Sequence, residues 1–97
     1  MDAFKDRVAV VTGGAGGIGS ALARAFAARG AKIVLADRDA ANLDVVARRL
    51  AADGARVLGV PTDVTKPESV EALAEATLSR FGAAHVVCNN AGVATFG

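Results

Sequence analysis

The 97-residue chain has no tyrosine and no tryptophan, one cysteine, one histidine and two prolines. Each shortage excludes something. Cys88 has no partner for an internal disulfide, and Cys88 with His85 falls short of the four N/S ligands of a structural metal site. Lys+Arg 11 against Asp+Glu 10 leaves a net charge of +1, so there is no electrostatic case for nucleic acid or an anionic membrane surface. No apolar run approaches the roughly 18 residues that a bilayer span requires. Met1-Asp2-Ala3-Phe4-Lys5-Asp6-Arg7 is charged and lacks the apolar stretch of a secretory signal, so a cytoplasmic protein is expected. What is present is 53% hydrophobic and 22% charged, too apolar for a disordered chain. The length allows one domain, and a domain this small buries only about 60–65% of its unfolded surface, so its margin of stability is thin.

Arg7-Val8-Ala9-Val10-Val11-Thr12 is a short apolar run of the kind found in strands buried on both faces. Glycines crowd the stretch from Gly13 to Gly19. A helical pattern follows, in which Ile18, Leu22 and Phe26 recur at i, i+4 and i+8 with Ala21 and Ala25 beside them. That stripe is expected to face the core, with Arg24 and Arg29 outside and Gly30 ending the helix at positive φ. The unit then repeats. Ile33–Ala36 reads as a second strand, closed by Asp37-Arg38-Asp39, and Leu43, Val46, Ala47 and Leu50 form the apolar face of a second helix that stops at Gly54. Arg56–Val60 reads as a third strand. Thr65-Lys66-Pro67-Glu68 has the form of a capping box with proline in the first turn. Val70, Leu73, Ala74, Thr77 and Phe81 make the third helical stripe, stopped by Gly82, and His85–Cys88 reads as a fourth strand.

The order is β-α-β-α-β-α-β. Connections that each carry a helix imply right-handed crossovers and a parallel sheet. The predicted fold class is therefore α/β, a Rossmann-type doubly wound sheet with strand order 3-2-1-4.

Thr12-Gly13-Gly14-Ala15-Gly16-Gly17-Ile18-Gly19 lies between a strand and a helix. A pyrophosphate can approach backbone N–H groups at a helix N-terminus only where no Cβ obstructs it. Two spacings coexist. Gly14-x-Gly16-x-x-Gly19 fits the general dinucleotide fingerprint, and Thr12-Gly13-x-x-x-Gly17-x-Gly19 fits a second register. The phosphate loop of mononucleotide enzymes does not fit, because Ser20 and Ala21 follow Gly19 where Lys and Ser/Thr are required. Asp37 ends the second strand 18 positions beyond Gly19, where a carboxylate can accept hydrogen bonds from adenosine ribose hydroxyls and repel a 2′-phosphate. NAD is thus favoured over NADP. Arg38 has two readings, a solvated turn residue or a partner for a 2′-phosphate.

Together with Asp63-Val64 after the third strand and Asn89-Asn90-Ala91-Gly92 after the fourth, the Thr12–Gly19 motif resembles the short-chain dehydrogenase/reductase family, in the N-terminal, cofactor-binding half. The resemblance implies roles. Gly13, Gly16, Gly17, Ile18 and Gly19 would wrap the pyrophosphate and the nicotinamide-side ribose, and Asp37 would hold the adenosine ribose. Asp63 would bind the adenine amino group with Val64 packed beside it, although Asp63 could also lead into the helix near Thr65. Asn90, Ala91 and Gly92 would line the ribose side, Thr12 would tie the glycine turn to that segment, and Asn89 would stabilise the strand exit.

The family's hydride chemistry uses a tyrosine, a lysine four residues on, and a serine. This chain has no tyrosine, and Ser20, Ser69 and Ser79 are expected in or beside helices, away from the site. His85 and Cys88 read as strand residues, and Glu71 and Glu75 as solvated charges. No catalytic or metal-binding residue is expected. Residues 1–97 are read as a single incomplete NAD(P)-binding domain, inactive alone, of an oxidoreductase acting on a small alcohol or carbonyl substrate. The complete enzyme is expected to be a homo-oligomer with no nucleic-acid or membrane partner. A stand-alone nucleotide-binding module without chemistry is the alternative.

Overall fold

The computed structural model describes residues 4–90, in which two apolar runs occupy the centre of a four-stranded parallel sheet. In chain order the elements are β1 (Val8–Thr12), α1 (Gly17–Ala28), β2 (Lys32–Asp37), α2 (Ala40–Ala52), β3 (Val57–Pro61), α3 (Pro67–Phe81) and β4 (Val86–Asn89). The strand order is β3-β2-β1-β4 and every pairing is parallel, as the crossover argument requires.

Burial explains the sequence pattern. Every residue of β1 is buried, as are the four inner residues of β2, whereas β3 and β4 at the sheet's edges are only partly covered. Alternate residues feed two cores. Ala9, Val11, Ile33 and Leu35 pack with Ala23 of α1 and Leu43 and Leu50 of α2. Val8, Val10, Val34 and Ala36 point the other way, toward Leu73 of α3. Ile33, Leu35, Val8, Val11 and Val34 are the largest fully buried apolar side chains, and each contributes about 1.5–3 kcal/mol by leaving water.

The face of α2 is as expected, with Leu43 and Leu50 buried and Val46 and Ala47 half-buried. The face of α1 is not. Ile18 is 71% exposed and Leu22 is also on the surface, while Gly19 and Ala23 meet the core. Ala21 and Ala25 are exposed as well. The helix is rotated because its first turn must come close to the glycine turn, which only its small-residue side permits. Phe26 is half-buried and packs edge-on against Phe4, ring centroids 5.1 Å apart, and Arg24 and Arg29 face outward. Gly30 takes φ +86 just beyond the last helical turn, as the capping argument anticipated.

Two corrections concern α3. Its N-cap is Lys66, with no side-chain cap, so the expected Thr65 capping box does not form. The Thr65 hydroxyl instead donates to the Asp63 carboxylate, and Pro67 begins the helix with Glu68 in the first turn. Of the expected stripe, Leu73 and Thr77 are buried and Phe81 half-buried, but Val70 and Ala74 are exposed. Val70, Leu78 and Val87 line a shallow apolar groove of about 260 Å³ between α3 and β4.

Just before β4, the Val8 N–H donates to His85 Nδ1 (2.9 Å) and the His85 N–H donates to the Val8 carbonyl (2.9 Å). This reciprocal pair starts the β1–β4 ladder and gives His85 a structural task.

Candidate active site

The register sets the carboxyl ends of all four strands along one edge. Thr12 lies opposite both Ala36 and Asn89, and Asp37 opposite Pro61. The glycine turn, Arg38–Asp39, Thr62–Lys66 and Asn90 therefore leave the sheet side by side. In such sheets ligands bind beyond the carboxyl edge where the winding reverses, here between β1 and β4.

The turn after β1 needs glycine for different reasons at different positions. Gly13 adopts φ +67, a left-handed conformation that reverses the chain. The Gly14 N–H donates to the Ala36 carbonyl (3.1 Å) and the Gly16 N–H to the Gly13 carbonyl (3.1 Å). A Cβ on Gly19 would overlap the Gly13 carbonyl oxygen and lie 2.8 Å from its carbon, so α1 sits directly on the turn. A Cβ on Gly14 would come within 2.9 Å of Leu35 Cδ2. At Gly17 a Cβ would meet nothing within 4 Å, and at Gly16 only an ordinary contact at 3.5 Å. Gly13 and Gly19 are thus demanded by the fold, whereas Gly17 leaves open space at the helix N-terminus. Gly16 is the N-cap of α1 and supplies no side-chain acceptor, and the first turn holds no acidic residue. Exposed Ile18 sits in that same turn.

Asp37 faces this turn from the end of β2. Its Oδ2 accepts from the Ala15 N–H (3.0 Å) and its Oδ1 from the Asp39 N–H (3.0 Å). Asp39 in turn caps α2, its Oδ1 accepting from the Asn42 N–H (3.0 Å). The Arg38 side chain is 74% exposed and its Nη2 is 4.0 Å from Asp63 Oδ2, so it reaches from the β2 exit toward the β3 exit.

Asp63 Oδ1 accepts from both the Thr65 N–H (3.0 Å) and the Thr65 hydroxyl (2.6 Å). Those two bonds, with a smaller contribution from Arg38, hold the Asp63 carboxyl below the usual carboxylate range. Asp63 therefore does shape the lead-in to α3. Its second oxygen faces Arg38, and Val64 beside it is half-buried.

On the β4 side the Thr12 hydroxyl lies 3.2 Å from the Cys88 carbonyl and 3.0 Å from Asn89 Oδ1. A hydroxyl has one proton and can serve one acceptor at a time. The contact joins the start of the glycine turn to the exit of β4, as expected of Thr12, and gives Asn89 a structural partner. The Asn90 N–H donates to the Cys88 carbonyl (3.0 Å). Ala91 and Gly92 lie outside the described residues.

Two residues escaped sequence reasoning. Asn42 on α2 donates from Nδ2 to the Ala15 carbonyl (2.8 Å). Ser69 was expected away from the site, yet its hydroxyl accepts from the Asp63 N–H (2.9 Å). Both act on backbone atoms, which no side-chain pattern discloses; a polar residue in the first turn of each helix was the available signal. Among the described residues no His/Cys/Asp/Glu cluster suits a metal, and no helix is long and apolar enough to cross a membrane.

Comparison with known proteins agrees with this geometry. Residues 7–97 match the short chain dehydrogenase family. The chain is 53% identical over 87 residues to a 1-deoxy-11-beta-hydroxypentalenate dehydrogenase of Streptomyces arenae, covering 90% of this chain and 31% of that protein. A crystal structure of a short-chain dehydrogenase/reductase from Burkholderia phymatum in complex with NAD superposes with a TM-score of 0.86 at 45% identity, over 90% of this chain and 31% of that one. L-sorbose reductase from Gluconobacter frateurii, complexed with NADPH and L-sorbose, gives 0.91 at 46% identity, over 96% of this chain and 36% of its own. The chain thus spans about a third of the length of these relatives. Its match over residues 7–97, carried on a parallel 3-2-1-4 sheet with the glycine turn at its carboxyl edge, places it in the short-chain dehydrogenase family.

Proposed function

We propose that residues 1–97 form the dinucleotide-binding part of a nicotinamide-dependent oxidoreductase, and that NAD is preferred over NADP. The observation that carries this reading is the pairing of Asp37 with the glycine turn. An acceptor carboxylate stands beside a helix N-terminus that has no side-chain cap, no acidic residue in its first turn and open space at Gly17. Backbone donors and the positive end of the helix suit a pyrophosphate, and the carboxylate suits vicinal ribose hydroxyls.

Gly13, Gly16, Gly17, Ile18 and Gly19 would hold the pyrophosphate and its neighbouring ribose, Asp37 the adenosine ribose, and Asp63 with Val64 the adenine. Asn90, Ala91 and Gly92 would line the far ribose. A bound nicotinamide supplies the acceptor or donor for a hydride. The chain's own part is binding and orientation. It contains no tyrosine, so the acid/base step on an alcohol or carbonyl substrate would belong to the whole protein.

The preference for NAD rests on charge. A 2′-phosphate would bring about two negative charges to Asp37. Arg38 would oppose that repulsion, but its guanidinium leans toward Asp63. The relatives do not decide the matter, because one is complexed with NAD and another with NADPH. Calorimetric titration of the chain with each cofactor is the test. Saturable NAD binding, weaker for NADP, is expected. No saturable binding of either would refute the reading, and tighter NADP binding would overturn the role given to Asp37.

A further inference from the structure

We infer that Asn42 is a positioning residue for the phosphate-binding turn, an inference that rests on the dinucleotide-binding reading above. The peptide unit between Ala15 and Gly16 leads into the N-cap of α1. Its carbonyl accepts from Asn42 Nδ2 (2.8 Å) and its N–H donates from Gly16 to the Gly13 carbonyl (3.1 Å). Both ends of that peptide are therefore fixed, and so is the plane from which the next amides of α1 are projected. The preceding peptide is held as well, because the Ala15 N–H donates to Asp37 (3.0 Å).

The contact joins residues 27 apart in the chain and comes from a different helix. Asn42 is itself placed by the α2 cap, its N–H donating to Asp39 Oδ1 (3.0 Å), while the Asp39 N–H donates to Asp37 Oδ1 (3.0 Å). The four residues close a ring: Ala15 to Asp37, Asp37 to Asp39, Asp39 to Asn42, and Asn42 back to Ala15. Glycines on three sides of Ala15, at positions 13, 14 and 16, give the turn wide backbone freedom that its own side chains cannot restrict. Restriction has to come from outside, and Asn42 is the side chain that provides it on the carbonyl side. Without that donor, rotation of the 15–16 peptide would turn the amides of the first α1 turn away from a common focus. Ligands with a phosphate at that focus would lose affinity, whereas a ligand reaching only Asp37 and Asp63 would not.

Asn42→Ala removes the donor, and Asp44→Asn on the same helix serves as control, since the Asp44 carboxylate pairs with exposed Arg48, away from the turn. Calorimetry with NAD, ADP and adenosine separates the two ends of the site. Asn42→Ala should weaken ADP and NAD by about tenfold, the upper range for one neutral hydrogen bond, and change adenosine by less than about twofold. Equal weakening of all three, or unchanged ADP affinity, would overturn the inference. If the wild-type chain binds neither NAD nor ADP, the dinucleotide reading fails, and amide exchange in the ligand-free chain still decides the role of Asn42. The Gly16 amide should exchange at least about tenfold faster in Asn42→Ala while the Val11 and Leu35 amides in the sheet keep their rates. An unchanged Gly16 rate would overturn the inference without reference to any ligand.

Discussion

Two glycines two residues apart in α1 should respond oppositely to the same added methyl group. At Gly19 the new Cβ would overlap the Gly13 carbonyl oxygen and stand 2.8 Å from its carbon and 3.0 Å from Gly14 Cα. All three obstacles are backbone atoms, so no side-chain rotation relieves the clash. Either α1 or the turn must move by about 1 Å, and overpacking of this kind costs about 1–3 kcal/mol, at the upper end where backbone is the obstacle. Alanine's helix propensity returns about 0.8–1.0 kcal/mol. The net loss is about 1–2 kcal/mol. For a domain of this size each kcal/mol shifts Tm by about 4–8 °C, so Gly19→Ala should melt about 4–16 °C lower.

At Gly17 the same methyl meets nothing within 4 Å. The helix gain stands unopposed, and Gly17→Ala should melt about 2–8 °C higher through roughly 0.4–1 kcal/mol of stabilisation. It should also bind NAD more weakly, because the methyl occupies the open side of the helix N-terminus. Thermal melts followed by far-ultraviolet circular dichroism, with urea midpoints as a second measure, are sufficient. A Gly19→Ala melting temperature at or above that of Gly17→Ala would refute the placement of α1 on the turn. A more stable Gly17→Ala that binds NAD as wild type does would leave the fold intact and refute the role assigned to Gly17.

Thr12→Val keeps the shape of a residue only 7% exposed but removes its hydroxyl from Cys88 and Asn89. Urea unfolding should show a loss of about 1–2 kcal/mol, and a neutral result would mean that the bond to the β4 exit contributes nothing net. Asp37→Ala should weaken NAD by about 1–3 kcal/mol and also lower Tm, because the Ala15 and Asp39 amides lose their acceptor. Unchanged affinity in calorimetry would show that the ribose contact lies elsewhere. The carboxyls of Asp63, bonded to Thr65, and of Asp6, bonded to Arg56, are both held below the ordinary range in the folded chain. The stability they confer is therefore fully present above that range and is lost as pH falls through their lowered folded-state values. Thr65→Val should lower stability at neutral pH and leave less of it to lose in acid, so its acid limb should be shallower in melts run from neutral to pH ~2. An identical acid limb in the variant would count against the Thr65 contribution.

The fold was legible because parallel sheets covered on both faces leave a coarse mark, short valine-rich runs separated by amphipathic stretches. Strand limits moved by one residue where pairing continues past the apolar run, as at Lys32, Asp37 and Asn89. The orientation of α1 was not legible. Periodicity favours Ile18, Leu22 and Phe26 as the core face, but it weighs side-chain hydrophobicity and ignores how near a helix axis can come. The sheet took the face with the smallest residues, Gly19 and Ala23. A close approach to backbone outranked a larger apolar stripe. The Thr65 capping box failed because the Asp63 carboxylate accepts both the Thr65 N–H and its hydroxyl, which holds Thr65 in the turn and leaves Lys66 as the N-cap.

The site was legible where side chains or their absence do the work, and illegible where the backbone is the partner. Glycine spacing and an acid at the end of β2 can be read from one sequence. That Asp37 already accepts two backbone N–H bonds cannot, and it alters what the residue does. A carboxylate oxygen offers about two acceptor sites, so one on each oxygen stays open to ribose hydroxyls while the others hold Ala15 and Asp39. The acid that would select the cofactor is thus also a strut of the turn that would bind its phosphates. Asn42 holds the carbonyl of Ala15 while Asp37 holds its N–H, so neither can be removed without loosening the residue the other restrains. Energies within such a ring do not add. A weakened cofactor in any single variant of the ring therefore reports the turn and the acid together, and only ligands that touch one without the other can separate them.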